Sequence, residues 1–227
     1  MEKNDAAYFA GVICGDGYVS ANGSRVEVKD EYKEFLLDVY TPLVIKLFNK
    51  FPFTIPESNE AHAYRCYFNS MEVVSLLKSW NIVSPKTFTV CMPSWIREKG
   101  IKTKINFVCG AFDADGHINT KKNKGITNYP TIVFQTRSRK FAEDVYNVLR
   151  EIGLHAKFSS FYKNGKIMFV VRLYGFDQLK GFMNKVKFKH PFKYKKAMKI
   201  LQEGIRRAGR STVEGAEIAS LELSEKA

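Results

Sequence analysis

The stretch Thr103–Asn119, TKINFVCGAFDADGHIN, decides how this chain is organised. Thr103 is a good N-cap, no proline interrupts the stretch, and the apolar run from Ile105 to Phe112 closes at Gly116, which together predict a helix. Its last residues are acids. Asp113 and Asp115 fall at the negative end of the helix dipole, where an anion is disfavoured unless a cation or solvent compensates it. Cys109, Gly110 and Ala111 leave one side of the helix almost without side chains, so a second backbone can approach closely there.

A partner for that bare side lies 99 positions earlier. Phe9-Ala10-Gly11-Val12-Ile13-Cys14-Gly15-Asp16-Gly17 aligns with Val108-Cys109-Gly110-Ala111-Phe112-Asp113-Ala114-Asp115-Gly116, sharing the small residue before Gly, the apolar pair and the closing Asp-Gly. One Asp-Gly after an apolar helix says little; its repetition in the same frame says much more. The paired segments resemble the LAGLIDADG homing endonucleases in their single-chain, two-motif form, over about residues 6–207. Cys14 replaces the first acid of the motif, which leaves Asp16 as the carboxylate matching Asp115.

Composition sets independent bounds. The 227 residues are 45% hydrophobic and 14% aromatic, enough to bury a real core. No apolar run approaches the roughly 20 residues that span a bilayer, and the N-terminus lacks signal-peptide features. The expectation is a soluble, intracellular protein, cytoplasmic in a prokaryote, with no membrane partner. Cys14, Cys66, Cys91 and Cys109 form no C-x-x-C pair and read as reduced thiols. The net charge of +13 is lopsided: residues 1–100 carry −1 and residues 101–227 carry +14. Between Lys185 and Arg210 ten basic side chains, Lys193, Lys195 and Lys199 among them, meet only Glu203. A surface so unbalanced in sign expects a polyanion.

In chain order the first half reads as a helix over Asp5–Gly15, a hairpin ending in Arg25–Lys29, and a helical stretch over Glu31–Lys50 that Pro42 breaks or kinks. A second hairpin over Phe53–Asn69 and a helix over Met71–Trp80 capped by Ser70 complete it. The order returns after the second motif: strands at Ile118–Lys121 and Thr131–Arg137, a helix over Arg139–Ile152, a hairpin over Phe158–Tyr174 about the Asn164-Gly165 turn, and helices over Phe176–Val186 and Lys193–Arg207. Phe35–Tyr40 pairs with Phe141–Tyr146 at an offset of 106, which places an insertion in the basic loop Lys121–Gly125. The expected class is α+β: two pseudo-symmetric αββαββα repeats with antiparallel sheets, in residues 1–80 and 103–210, joined by a linker at 81–102 and followed by a tail at 211–227.

The resemblance implies that the open sheet faces form a saddle in the DNA major groove, with the motif helices packed at the centre. Polar strand residues that would read bases or touch phosphates are Arg25, Glu27, Arg65, Tyr67, Asn119, Gln135, Arg137 and Arg172, with Lys193 and Lys195 on phosphates. Two aspartates side by side would repel without a divalent cation, and oxygen donors select Mg2+ (or Mn2+). The expected ligands are Asp16 and Asp115 with the carbonyls of Gly15 and Ala114. Lys29 and Gln135, equivalent at the 106 offset, and the later Lys86 and Lys189 would sit near the scissile phosphates, Lys193 being nearly as good as Lys189. His117, His155 and His190 read as ordinary surface histidines.

The reading is a monomeric double-strand DNA endonuclease of the intron or intein homing type, hydrolysing phosphodiester bonds at a long, near-asymmetric site. The absence of a flanking splicing domain favours the intron type. Its rivals are an RNA maturase, with intron RNA as partner, and a DNA-binding regulator on the same fold.

Overall fold

The computed structural model describes residues 2–20, 23–57, 63–82, 88–123 and 126–204. Asn22, Lys86, the loop residues Lys124 and Gly125, Arg206, Arg207, Arg210 and the tail 211–227 lie outside them.

The first repeat runs α1 (Lys3–Gly15), β1 (Gly17–Val19), β2 (Arg25–Asp30), α2 (Lys33–Phe35), a π-helical turn (Leu36–Tyr40), α3 (Thr41–Phe48), β3 (Phe53–Pro56), β4 (Tyr64–Asn69) and α4 (Met71–Ser79). A short helix α5 (Ser94–Arg97) interrupts the connector. The second repeat runs α6 (Ile101–Asp115), β5 (Gly116–Asn123), β6 (Ile126–Thr136), α7 (Arg139–Glu151), β7 (Lys157–Lys163), β8 (Lys166–Tyr174), α8 (Phe176–Lys185) and a last helix α9 over 191–204. Each repeat builds one antiparallel four-stranded sheet, ordered β1-β2-β4-β3 and β5-β6-β8-β7.

Strand alternation sorts the two faces of each sheet. Val26, Val28, Cys66 and Phe68 turn inward in the first, as do Ile118, Ile132, Phe134, Val171 and Leu173 in the second, and all are buried under the helices. The registers are equivalent: Gly17 faces Val28 and Val28 faces Cys66, while Gly116 faces Phe134 and Phe134 faces Val171. The change of offset from 99 to 106 therefore falls between Gly116 and Phe134, in the longer β5–β6 hairpin. Asn164 and Gly165 both have positive φ, 50° and 71°, as a type I′ turn requires.

The motif helices α1 and α6 pack with their backbones nearly touching. A Cβ on Gly11 would lie 2.1 Å from the Phe107 carbonyl oxygen, and one on Gly110 2.1 Å from that of Tyr8. These contacts are the same contact repeated 99 residues on, so the helices cross on a pseudo-twofold axis. Thr103 Oγ1 donates to Asn4 Oδ1 at 3.2 Å, again a pair 99 apart.

Three local expectations change or sharpen. Thr103 does not cap α6; the helix starts at Ile101 after Gly100, and Thr103 is buried at the axis, where its hydroxyl is used across the interface. Pro42 does not break its element but sits at a distortion in it: a wide π-turn over Leu36–Tyr40 precedes α3, which has Pro42 in its first turn and continues to Phe48. The connector is also more ordered than its lack of period suggests. Ser138 caps α7 by accepting from Phe141 N and also donates to the Val90 carbonyl, while Asp144 accepts from Met92 N and Arg97. Ser70 caps α4 as expected, at 3.3 Å from Val73 N.

Candidate active site and nucleic-acid interface

Both motif helices deliver their acids to one place. Asp16 follows the last residue of α1, Asp115 ends α6, and a Cβ on Gly15 would fall 2.5 Å from Ala114 Cβ and 3.2 Å from Asp115 Oδ2. The Asp115 carboxylate thus lies against the end of the opposite helix. Beside Asp16 opens a cavity of about 300 Å³, walled by Lys29, Asp30, Tyr32, Ala114, His190 and Lys193. Lys29 is there because Val28 pairs with Gly17, which puts the next residue of β2 beside the motif end. Gln135 holds the corresponding place after Phe134 in β6.

Lys193, in the first turn of α9, supplies the cation that the acids at the end of α6 call for. Its ammonium donates to the carbonyls of Phe112 at 3.2 Å, Asp113 at 2.5 Å and Ala114 at 2.6 Å. Burial pushes its pKa down, while Asp16, Asp113, Asp30 and Asp115 pull it back up. Asp113 itself is fully buried and structural. It accepts from the Tyr8 hydroxyl at 2.7 Å and from Lys189 N at 3.0 Å, and burial raises its pKa against those hydrogen bonds.

Lys189 and Lys193 are four residues apart and face different surroundings. The Lys189 side chain lies over the Tyr8 ring, 4.1 Å from its centre, and borders a hollow with Asp5 and Lys46, away from the Asp16 cavity. Lys193 stands inside that cavity. His190 corrects the surface reading: it is fully buried, stacked on Phe35 at 4.7 Å, with Nε2 3.3 Å from Asp30 Oδ2. His117 is half-buried at the start of β5, its pKa lowered by burial and by Lys193, Lys196 and Arg172.

The open sheet faces carry most of the expected contact residues. Arg25, Glu27 and Lys29 share a face with Tyr67 and Arg65 across the β2–β4 ladder. Several of them are already engaged there. Glu57 accepts from Arg65 Nη2 at 2.8 Å and pairs with Lys29 at 3.0 Å; these partners, Lys29 first, hold its carboxyl below the usual range. Glu27 is buried near Arg65, and Arg25 lies over the Tyr67 ring at 4.6 Å. On the second sheet Asn119 is exposed, and Arg172 donates to Ser159 Oγ at 2.8 Å. Arg137 lies past the end of β6, stacked 4.1 Å over Phe88 of the connector rather than on the sheet. Lys195 is exposed on α9.

No sequence pattern points to Asp30 or Glu57, and none places His190 inside the molecule. Asp30 and His190 are 160 residues apart, so no local spacing links them.

Two family models match the chain in tandem, one described as the WhiA LAGLIDADG-like domain over residues 5–82 and one as a LAGLIDADG-like domain over residues 102–187. The chain carries two LAGLIDADG-like domains. As a LAGLIDADG protein it shares its fold with I-DmoI, solved in complex with DNA and Mn, at a TM-score of 0.59 and 16% identity over 83% of this chain and 98% of that one. The N-terminal LAGLIDADG domain of DUF199/WhiA superposes with a TM-score of 0.56 at 8% identity, covering 82% of each chain. Among curated proteins, a replication factor C small subunit of Thermococcus kodakarensis is 24% identical over 89% of the chain, and a tRNA-splicing ligase RtcB of Methanopyrus kandleri is 28% identical over 44%. The chain spans only 22% and 10% of the length of those two proteins.

Among the described residues no group of three or more His, Cys, Asp or Glu side chains is placed to hold a metal ion, and no helix is long and apolar enough to cross a membrane. The neighbouring carboxylates of Asp16 and Asp115 are oxygen donors and fit a hard divalent cation. Cys14, Cys66 and Cys109 are buried thiols and Cys91 is a half-buried one, all outside any disulfide, a set better suited to core packing than to a metal site.

Proposed function

We propose that this LAGLIDADG protein is a site-specific double-strand DNA endonuclease that hydrolyses phosphodiester bonds with Mg2+ or Mn2+ held by Asp16 and Asp115. The observation that carries the reading is the convergence of those two acids, one from each repeat, at the point where the two motif helices end together. Each acid then serves one strand of a duplex lying across both sheets. A divalent ion bound there would activate water and steady the leaving oxygen. The chain's own part is to hold the carboxylates in place through α1 and α6, and to bring the Lys29 ammonium and Gln135 amide to equivalent positions beside them. Arg172, Asn119 and the exposed Lys195 and Lys199 of α9 orient the duplex.

A second reading, a DNA-binding regulator on the same fold, is favoured by the match of residues 5–82 to the WhiA LAGLIDADG-like domain. Selection of cleaved sequences from a randomised duplex library with Mg2+ separates the two. Recovery of cut sequences that vanish with Asp16→Asn supports the nuclease; specific binding without scission supports the regulator.

A further inference from the structure

The Ala114 carbonyl is where a metal-binding reading of the motif would place a backbone ligand at the end of α6. That oxygen is already in use. The Lys193 ammonium donates to it at 2.6 Å and to the two preceding carbonyls, of Phe112 at 3.2 Å and Asp113 at 2.5 Å. Three N–H bonds exhaust the donors of an ammonium group, so its position is set from three directions. The carbonyls are those that a helix C-terminus leaves without intrahelical partners. Asp16, Asp30, Asp113 and Asp115 all act on the same charge. A divalent ion on the Ala114 oxygen would stand within a few ångströms of a like-charged nitrogen, in a half-buried setting where screening is weak.

We infer that Lys193 is a tethered cation that occupies the cation position at the end of α6, so that the Ala114 carbonyl is not a metal ligand in this protein. A divalent ion held by the Asp16 and Asp115 carboxylates would then go without that oxygen. At the end of α6 a side-chain ammonium stands where a diffusible ion would otherwise stand. The lysine is a positioning residue, acting through the ends of α6 and the carboxylates around it. This inference rests on the metal-holding reading of Asp16 and Asp115, and its test separates the two.

Ca2+ alone is titrated calorimetrically into the full chain without DNA, for the parent, Lys193→Met and Lys193→Arg. Removal of the charge should let Lys193→Met take up one more Ca2+ than the parent, or bind it at least tenfold more tightly. Lys193→Arg should behave as the parent. Equal stoichiometry and affinity in the parent and Lys193→Met overturns the inference while leaving the carboxylate site standing. Absence of Ca2+ binding in every form sinks both. Should Lys193→Met fail to fold, nitrogen NMR of the parent's lysine ammonium groups decides the matter. The hydrogen-bonded Lys193 signal should persist at saturating Ca2+, and its loss or displacement by Ca2+ overturns the inference.

Discussion

The two sheets share a topology and a register yet present opposite surfaces. Across the first, the row Tyr18, Glu27, Tyr67, Phe53 runs over four strands; across the second, the equivalent row is His117, Val133, Arg172, Lys157. Tyr18 is 48% and Phe53 65% exposed, so the first row offers aromatic surface, with Arg25 stacked on Tyr67 and Lys29 and Arg65 paired to Glu57. The second row offers cations. Duplicated backbones therefore support divergent chemistry on the outward positions, because those positions carry little of the packing that fixes the fold. The inward rows cannot diverge so far, and Val28 and Cys66 answer to Phe134 and Val171 as apolar residues of altered size.

The comparison is broken most sharply at the shared centre. Asp16→Asn and Asp115→Asn should each lower double-strand scission by roughly 1000-fold, about 4 kcal/mol, with duplex binding kept, as read by cleavage and gel-shift assays. If one of the two still cuts both strands at near the parent rate, the halves are not equivalent in chemistry either. Next come the glycines on the axis. Gly11→Ala and Gly110→Ala press a methyl on a backbone oxygen in the same way, so both should destabilise by a similar amount, about 3 kcal/mol by denaturant melts. Unequal losses would show that the pseudo-symmetry at the axis is only geometric.

Binding sharpens the contrast between the faces. Lys195→Ala or Lys199→Ala should reduce the slope of log affinity against log salt by about 0.9 for each phosphate contact removed. Tyr67→Ala should weaken binding with the slope unchanged, because an aromatic ring releases no counterion. A slope altered by Tyr67→Ala would mean the first face also works through charge. The smallest effect concerns Glu57. Its carboxyl is held below its ordinary range by Lys29 and Arg65, so its contribution is present above the ordinary carboxylate range and is lost as pH falls through the lowered value. Glu57→Gln should lower the melting temperature by a few degrees at neutral pH and remove that part of the acid sensitivity.

The parts legible in the sequence are those governed by local rules or by repetition. The motif helices, the Asn164-Gly165 hairpin, the Ser70 cap and the shared face of Arg25, Glu27 and Lys29 follow from period, turn chemistry and the 99-residue echo. Choosing between Lys189 and Lys193 could not follow from them. The direction of each side chain depends on how the 186–190 segment crosses α6, where Asp113 takes the Lys189 N–H and turns the chain. The Asp30–His190 pair was hidden for a similar reason, since it joins β2 of one repeat to the entrance of α9 in the other. At Pro42 the sequence shows that the helix is disturbed but not the form the disturbance takes, a π-turn over Leu36–Tyr40 that leaves no sign in composition.

The contacts Gly11 with Phe107, Gly110 with Tyr8, and Thr103 with Asn4 have a further consequence. The first two are one contact repeated with the copies exchanged, and the third joins a position to its own copy, which is the signature of an isologous interface between identical subunits. The seam inside this single chain is thus built like that of a homodimer, and either half could still recognise itself. The connector Phe88–Gly100 holds the unlike halves at high mutual concentration, and so keeps self-pairing, with its two identical faces, from competing with the fused, two-faced form.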